Sequence, residues 1–427
     1  MARLLPLLMF ASLMLAEPVG AQTREEKVRN DRKKVEATGY WIYNDLPAAF
    51  AEARKTGKPI VVVLRCIPCE ECVKLDDEII NADERIKPLL EKFVRVRVVS
   101  TNGLDLKTFQ FDTDQSFAVF LLNADETIYG RFGTRSHRKE WVGDVSVDGL
   151  VKALQGALKL HAAYPANRES LALKRGPAPK YARPELLPTL KGRYQSTIDY
   201  KGKVVPSCIH CHQVGEALRA TVGRDGLTDE VLFPYPHPRT IGLTLDPKEM
   251  STVSKVAPGS DAERAGFQAG DVITRLGGQP LLSIADVQWV LHRIGAEGGQ
   301  VPAEVTRDGK TVKLTLRLPA GWRQRDEIAW RASTWMLRRN ALGGMFLVPH
   351  EGPGLLVQHV GQYAPHDVAH RAGIRKGDVV LDFDGVEAKR ETDLIVYSLR
   401  KKKPGDRVGV TVLRQGARQT LTLRLPE

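Results

Sequence analysis

The five cysteines of this 427-residue chain fall into two tight groups, a pattern that points to chemistry rather than to general cross-linking. The first group is Cys66-Ile67-Pro68-Cys69-Glu70-Glu71-Cys72, directly after the apolar run Ile60 to Leu64. A C-x-x-C at a helix N-terminus holds its first thiol in the positive end of the helix dipole, which lowers the thiol pKa and favours thiolate. Cys69 with Cys72, or Cys66 with Cys69, supplies such a pair. A redox-active dithiol, an inert disulfide and a metal site using the third thiol are the three readings. The second group is Cys208-Ile209-His210-Cys211-His212. Two thiols able to form thioethers, followed at once by an imidazole, match the attachment pattern of c-type haem. His212 would then ligate the iron through its ring, with Met250 and His237 as candidate sixth ligands. A local disulfide and a zinc site are the other readings.

The elements around the first group form an α/β pattern. Leu46 to Arg54 is an amphipathic helix stopped by Gly57, and Ile60 to Leu64 is a buried strand. Phe93 to Ser100, Phe117 to Leu122 and Ile128 to Phe132 are further strands, and Val147 to Leu160 is the last helix. With strand, turn and helix framing the dithiol, residues 40–160 resemble the thioredoxin-like family, an α/β sandwich. That resemblance implies Cys69 as nucleophile and Cys72 as resolving thiol. The family places a cis-proline just before the strand that here begins at Ala118, and this chain has Ser116-Phe117 there. The departure speaks against fast disulfide exchange.

The C-terminal half repeats itself at a constant offset. Arg264-Ala265-Gly266 and Gly270-Asp271-Val272-Ile273 recur as Arg371-Ala372-Gly373 and Gly377-Asp378-Val379-Val380. Leu314-Thr315-Leu316-Arg317-Leu318-Pro319 recurs as Leu421-Thr422-Leu423-Arg424-Leu425-Pro426. Asp308-Gly309 signals a hairpin in the first copy and Gln415-Gly416 takes its place in the second. With Ala257-Pro258-Gly259-Ser260, these stretches resemble bacterial PDZ domains, over residues 238–319 and 341–427. The resemblance implies two small β-barrels with helices, each adding an extended C-terminal peptide as a strand. It implies carboxylate loops at Ile241, Gly242 and Leu243 in the first copy, and at Gly343, Gly344, Met345 and Phe346 in the second. The connector 320–340 carries Trp322, Trp330 and Trp335, aromatic surface that packs the copies together.

The rest of the chain bounds the function. Residues 1–21 read as a secretory signal peptide, with a basic start, a short apolar run and Val19-Gly20-Ala21 as the cleavage site. No later run is long and apolar enough to span a membrane. Residues 22–39 are a charged lead-in, 161–206 a Pro-rich basic linker or wrap, and 207–237 the Cys/His segment. The formal charge of +12 is spread along the chain, and export argues against nucleic acid as a partner. Domains of this PDZ kind accompany trypsin-like proteases, yet no Gly-x-Ser-x-Gly occurs and no region is left to supply a triad. The fold expected is multi-domain α+β, in an exported, periplasmic protein. The leading function is a redox-linked adaptor that docks C-terminal tails or extended segments of envelope and secreted proteins. A non-catalytic PDZ scaffold and a thiol-disulfide oxidoreductase without haem are the alternatives.

Overall fold

The computed structural model describes residues 22–67, 83–115, 117–134 and 144–426. A five-stranded sheet is ordered β1-β3-β2-β4-β5, from β1 (Ile42–Tyr43), β2 (Ile60–Arg65), β3 (Val94–Val98), β4 (Phe117–Leu122) and β5 (Ile128–Thr134). The first three strands run parallel, and β4 and β5 are antiparallel. Every residue of β2 and β4 is buried, as suits central strands covered on both faces. Alternation along β2 sends Ile60, Val62 and Leu64 to one core and Val61 and Val63 to another. The helix Leu46–Thr56, capped by Asp45 and ended at Gly57 with φ 68°, covers the first face.

The second face does not end at a domain boundary. Val61, Val63, Leu121 and Leu150 belong to the same core as Ile241, Leu243, Met250 and Ile284 of the first PDZ-like copy. That copy has a two-stranded sheet, β6 (Leu243–Leu245) with β7 (Val253–Val256). Beside it lies a sheet ordered β11-β10-β8-β9, from β8 (Val272–Leu276), β9 (Gln279–Pro280), β10 (Gly299–Arg307) and β11 (Lys310–Leu318). The second copy is ordered β12-β13-β14-β16-β17, with β15 on β14. Its strands are β12 (Met345–Pro349), β13 (Leu355–Val360), β14 (Val379–Phe383), β15 (Val386–Glu387), β16 (Arg407–Arg414) and β17 (Ala417–Arg424). Both sheets stay open, so the barrels expected from sequence are partial ones.

The repeat is a repeat of interactions as well as of letters. Asp271 accepts a two-pronged bond from Arg307 at 2.7 and 2.8 Å, while the same guanidinium reaches Gly266 O at 2.8 Å. Asp378, Arg414 and Gly373 O repeat this at 2.7, 2.8 and 2.7 Å. Asp308-Gly309 and Gln415-Gly416 both turn with positive φ at each residue, the turn that matches the twist of flanking strands.

The basic linker is a strap. Its Leu171, Leu187 and Leu190 are buried, and Lys174 Nζ lies 3.0 Å from Asp286 Oδ2 with both side chains fully buried. Asp286 also accepts from the amides of Leu282 at 2.8 Å and Arg131 at 3.1 Å. Trp289 donates to Leu173 O at 3.0 Å, and the Arg131 guanidinium sits 4.0 Å over its ring. Strap, β5 and the helix Ile284–His292 therefore close on one another around a desolvated ion pair. Breaking a buried pair on one side leaves an uncompensated charge, so Lys174→Met is expected to cost about 3–5 kcal/mol. Urea titration of the folded chain should show that loss, and Lys152→Met at the exposed pair with Glu249 should cost at most about 1 kcal/mol.

His292 ends that helix half-buried, stacked on Tyr235 at 3.9 Å. Burial first, and then Arg323, Arg293, Arg331 and Arg131, pull its pKa down to about 3. The unfolded chain takes up this proton near pH ~6.5 while the folded chain refuses it until far lower pH. Stability is therefore lost as pH falls from that value toward 3. Midpoints of unfolding measured against pH should show this acid limb, and His292→Gln should flatten it.

Candidate functional site

Cys66, the first cysteine of the N-terminal group, meets the second group in space. Cys66 follows the last residue of β2, and the loop after β3 receives the Cys/His segment. Ile209 O accepts from the Thr101 amide at 3.0 Å and its hydroxyl at 2.9 Å, and Ile209 N donates to Asn102 Oδ1 at 2.8 Å. Asn102 Nδ2 donates to Ser207 O at 3.0 Å. So fastened, the segment sets His210 Nδ1 3.0 Å from Cys66 Sγ. His210 precedes the helix Cys211–Val222, and its amide donates to Gln213 Oε1 at 2.8 Å. Burial first, then His212 and Arg24, hold the His210 imidazole below its ordinary pKa. His210 and His212 stack in parallel at 6.0 Å, and His212 Nδ1 lies 3.2 Å from Glu216 Oε1.

The charged lead-in proves to be part of the site. Its helix Arg24–Thr38 begins with a capping box between Thr23 and Glu26. Glu25 accepts from the amides of Val204 and Val205 at 2.9 Å each, and Arg29 donates to Tyr200 O and Gly202 O at 2.6 Å each. Carboxylate on the first amides of Val204–Ser207 and guanidinium on the preceding carbonyls hold the approach to Cys208 from both sides.

Cys208 is buried among Val28, Ile67, Val99 and Ile198, and its thiol donates to Val204 O at 3.2 Å. Burial first, and then the charge of Glu25, push this thiol up to about 11. It is a free thiol, so the local disulfide considered for Cys208 and Cys211 is not formed. These residues do not fit a covalent haem as they stand. One sulfur faces an apolar shell, and the hollow bordered by Cys66, Ile209, His210 and Cys211 has a volume of about 10 Å³. Met250 packs against Gly149, and His237 bonds to Asp144 at 3.1 Å, so neither sixth-ligand candidate borders that hollow. Among the described residues no group of three or more His, Cys, Asp or Glu is arranged to hold a metal ion. Cys69 and Cys72, the pair taken as nucleophile and resolving thiol, lie outside the described residues.

Some amides of the expected carboxylate loops already bond within the chain. Ile241 and Leu243 are fully buried, and Gly242 N donates to Arg239 O at 3.0 Å. The adjoining Thr240 hydroxyl donates to Asp326 of the connector at 2.9 Å. In the second copy Gly343 N and Gly344 N both reach Arg338 O, the latter at 3.1 Å. Met345 is fully buried, and Phe346 lies under the Arg338 guanidinium at 4.4 Å. The sequence pointed to neither His210, read only as a spacer within the second cysteine group, nor Arg338. His210 offered a signal after all, as an imidazole beside a cysteine pair.

Comparison with known proteins agrees with this architecture. The model described as "Thioredoxin-like" matches residues 41–124, and the one described as "PDZ domain" matches residues 240–318 and 341–425. The chain carries a thioredoxin-like domain followed by two PDZ domains. A probable periplasmic serine protease do/HhoA-like of Haemophilus influenzae is 31% identical over 129 residues, 30% of this chain and 26% of that protein. The periplasmic pH-dependent serine endoprotease DegQ of Escherichia coli is 32% identical over 145 residues, 33% of this chain and 29% of that one. The periplasmic serine endoprotease DegP of the same species is 27% identical, over 36% of this chain and 30% of that one. The chain thus spans about a third or less of these relatives. Among solved structures, the HtrA3 PDZ domain bound to a phage-derived ligand is 27% identical over 16% of this chain and 60% of that one, with a TM-score of 0.14. The HtrA-type protease AlgW with decapeptide is 26% identical over 19% and 28%, with a TM-score of 0.18. Overlaps of that extent bear on no more than one domain.

The contrast between the thiols can be measured. In the native protein at pH 8, iodoacetamide mapped by mass spectrometry should leave Cys208 unmodified, and denaturant should expose it to full labelling. Modification of native Cys208 at the denatured rate would contradict its burial.

Proposed function

We propose that the protein is a periplasmic adaptor that docks extended peptide segments through its PDZ domains and presents a thiol site at the end of its thioredoxin-like sheet. The observation that carries this reading is the 3.0 Å contact between Cys66 Sγ and His210 Nδ1, formed across 144 residues of sequence. A neutral imidazole at that distance can take the thiol proton and leave a thiolate, the nucleophilic form of cysteine. That thiolate can attack a sulfur of a disulfide in a docked protein. A mixed disulfide forms and the partner's other sulfur leaves as thiolate, taking up a proton. A second thiol of the chain then displaces the partner, so the chain's thiols are oxidised as the partner is reduced. The relatives named as periplasmic proteases and the secretory start of the sequence support the location. A covalent haem at Cys208 and Cys211 with His212 is the competing reading, carried by the C-x-x-C-H pattern alone.

Two measurements separate these. The alkylation rate of Cys66 at neutral pH should fall about tenfold or more in His210→Asn while the melting temperature holds, and an unchanged rate would sink the thiol–imidazole reading. Protein matured with c-type haem machinery should show no Soret band and no covalent haem stain. A band lost in Cys208→Ala would replace thiol exchange by haem-based electron transfer.

A further inference from the structure

Strand β12 is the open edge of the second PDZ sheet, and an added peptide strand bonds to the outward amides of such an edge. Leu347 supplies one. It stands opposite Val357, but Val357 gives its amide to Asp378 O at 2.8 Å and its carbonyl to Gly377 N at 3.0 Å. The Leu347 amide is thereby turned away from the sheet, and there it donates to Glu391 Oε1 at 2.7 Å. Glu391 opens the helix Glu391–Lys401 that lies across the groove from β12. Its carboxylate is held in turn by Arg338, with Nε 3.0 Å from both oxygens and the terminal nitrogen 2.6 Å from Oε2. Both residues are buried. Arg338 belongs to the connector helix Thr334–Leu342, which packs between the two walls of the groove.

The first PDZ domain lacks this device. Its Leu245 faces Val253 in the same way, with Val253 likewise bonded to the Gly270–Asp271 turn. The residue that opens the facing helix is Ile284, at the same 107-residue offset that relates Asp271 to Asp378. An isoleucine side chain has no acceptor to offer.

A peptide pairing with β12 must take the Leu347 amide from Glu391, and moving that carboxylate opens the fork to Arg338. Removing one partner of a buried ion pair is strongly unfavourable unless another replaces it. We infer that the connector keeps the second PDZ groove shut through Arg338 and Glu391, and that the groove admits extended peptides carrying an arginine or lysine to meet Glu391. This deepens the peptide-docking reading and rests on it. A neutral or acidic peptide is rejected by the charge it would leave unpaired, which is specificity by penalty.

The test uses the whole mature chain and acetylated heptapeptides ending in valine that differ only in Arg, Ala or Glu at the third residue from the carboxyl end. Hydrogen exchange over residues 345–349 reports the second groove, and over residues 243–245 the first. The Arg peptide should protect 345–349 at about tenfold lower concentration than the Ala peptide, with the Glu peptide weaker still. Glu391→Gln, which keeps an acceptor for Leu347 but needs no cation, should bring the Arg and Ala peptides level. Equal protection by the two peptides in the unaltered chain overturns the inference even if that variant fails to fold, and so does a preference that survives in a folded Glu391→Gln protein. If no peptide protects either stretch in either protein, peptide docking itself falls, and the inference with it.

Discussion

Arg331 holds the molecule together from a place where water does not reach. Its guanidinium donates to Asp112 Oδ1 at 2.6 Å, lies 3.4 Å from Asp114 Oδ2 and bonds to Pro234 O. Burial pulls its pKa down, but Asp112 and Asp114 overcome that and raise it. Asp114 accepts from Ser333 N at 2.8 Å and Ser333 Oγ at 2.7 Å, and Arg219 donates to the same hydroxyl. Four segments converge here: a loop of the thioredoxin-like domain, the helix that begins at Cys211, the stretch ahead of the first PDZ domain, and the connector. Buried charges in so low a dielectric are costly without a partner of opposite sign, so the network ties the pose of the Cys/His helix to that of the connector, even with Asp112 Oδ2 and Arg331 Nε left without a hydrogen bond. Gly215 shows how close the fit is, since a Cβ there would stand 2.9 Å from Thr113 Oγ1.

The same economy shapes both ends of the molecule. The Cys/His segment is fastened to the sheet end by backbone and side-chain bonds from Thr101 and Asn102, and the N-terminal helix clamps it from outside. The connector packs against β12 and the helix Glu391–Lys401 of the second PDZ domain and bonds to Thr240 of the first through Asp326. The Cys/His segment and both PDZ domains are thus held by segments that belong to neither domain type. The connector is also bonded to the helix carrying Cys211, through Ser333 and Arg219.

Much of this was legible in the sequence because it is local. The unbroken run Ile60 to Leu64 announced a buried strand, and Asp308-Gly309 announced its hairpin. The constant offset between Asp271 and Asp378 announced a duplicated domain. What stayed hidden depends on contacts between distant residues, which periodicity does not encode. Residues 22–39 read only as a charged lead-in, since the helix Arg24–Thr38 has only Val28 and Val35 to bury, and its hold on the Cys/His segment runs through Glu25 and Arg29. Nothing local in the helix Ile284–His292 said that Asp286 and Trp289 would be buried by Lys174 and Leu173. The C-x-x-C-H spacing drew attention to His212, while the imidazole that meets Cys66 is that of His210, placed there by where Ile209 is tied.

The central claim is that these segments form one body locked by Arg331. Hydrogen exchange of Arg331→Met against the unaltered protein tests it most directly, since methionine keeps much of the side-chain bulk and removes the charge. The account predicts that residues 109–115, 211–222 and 328–342 lose protection together, with Asp112 and Asp114 left buried without their cation. Loss confined to residues 328–342, with the thioredoxin-like loop and the Cys/His helix as protected as before, would contradict it.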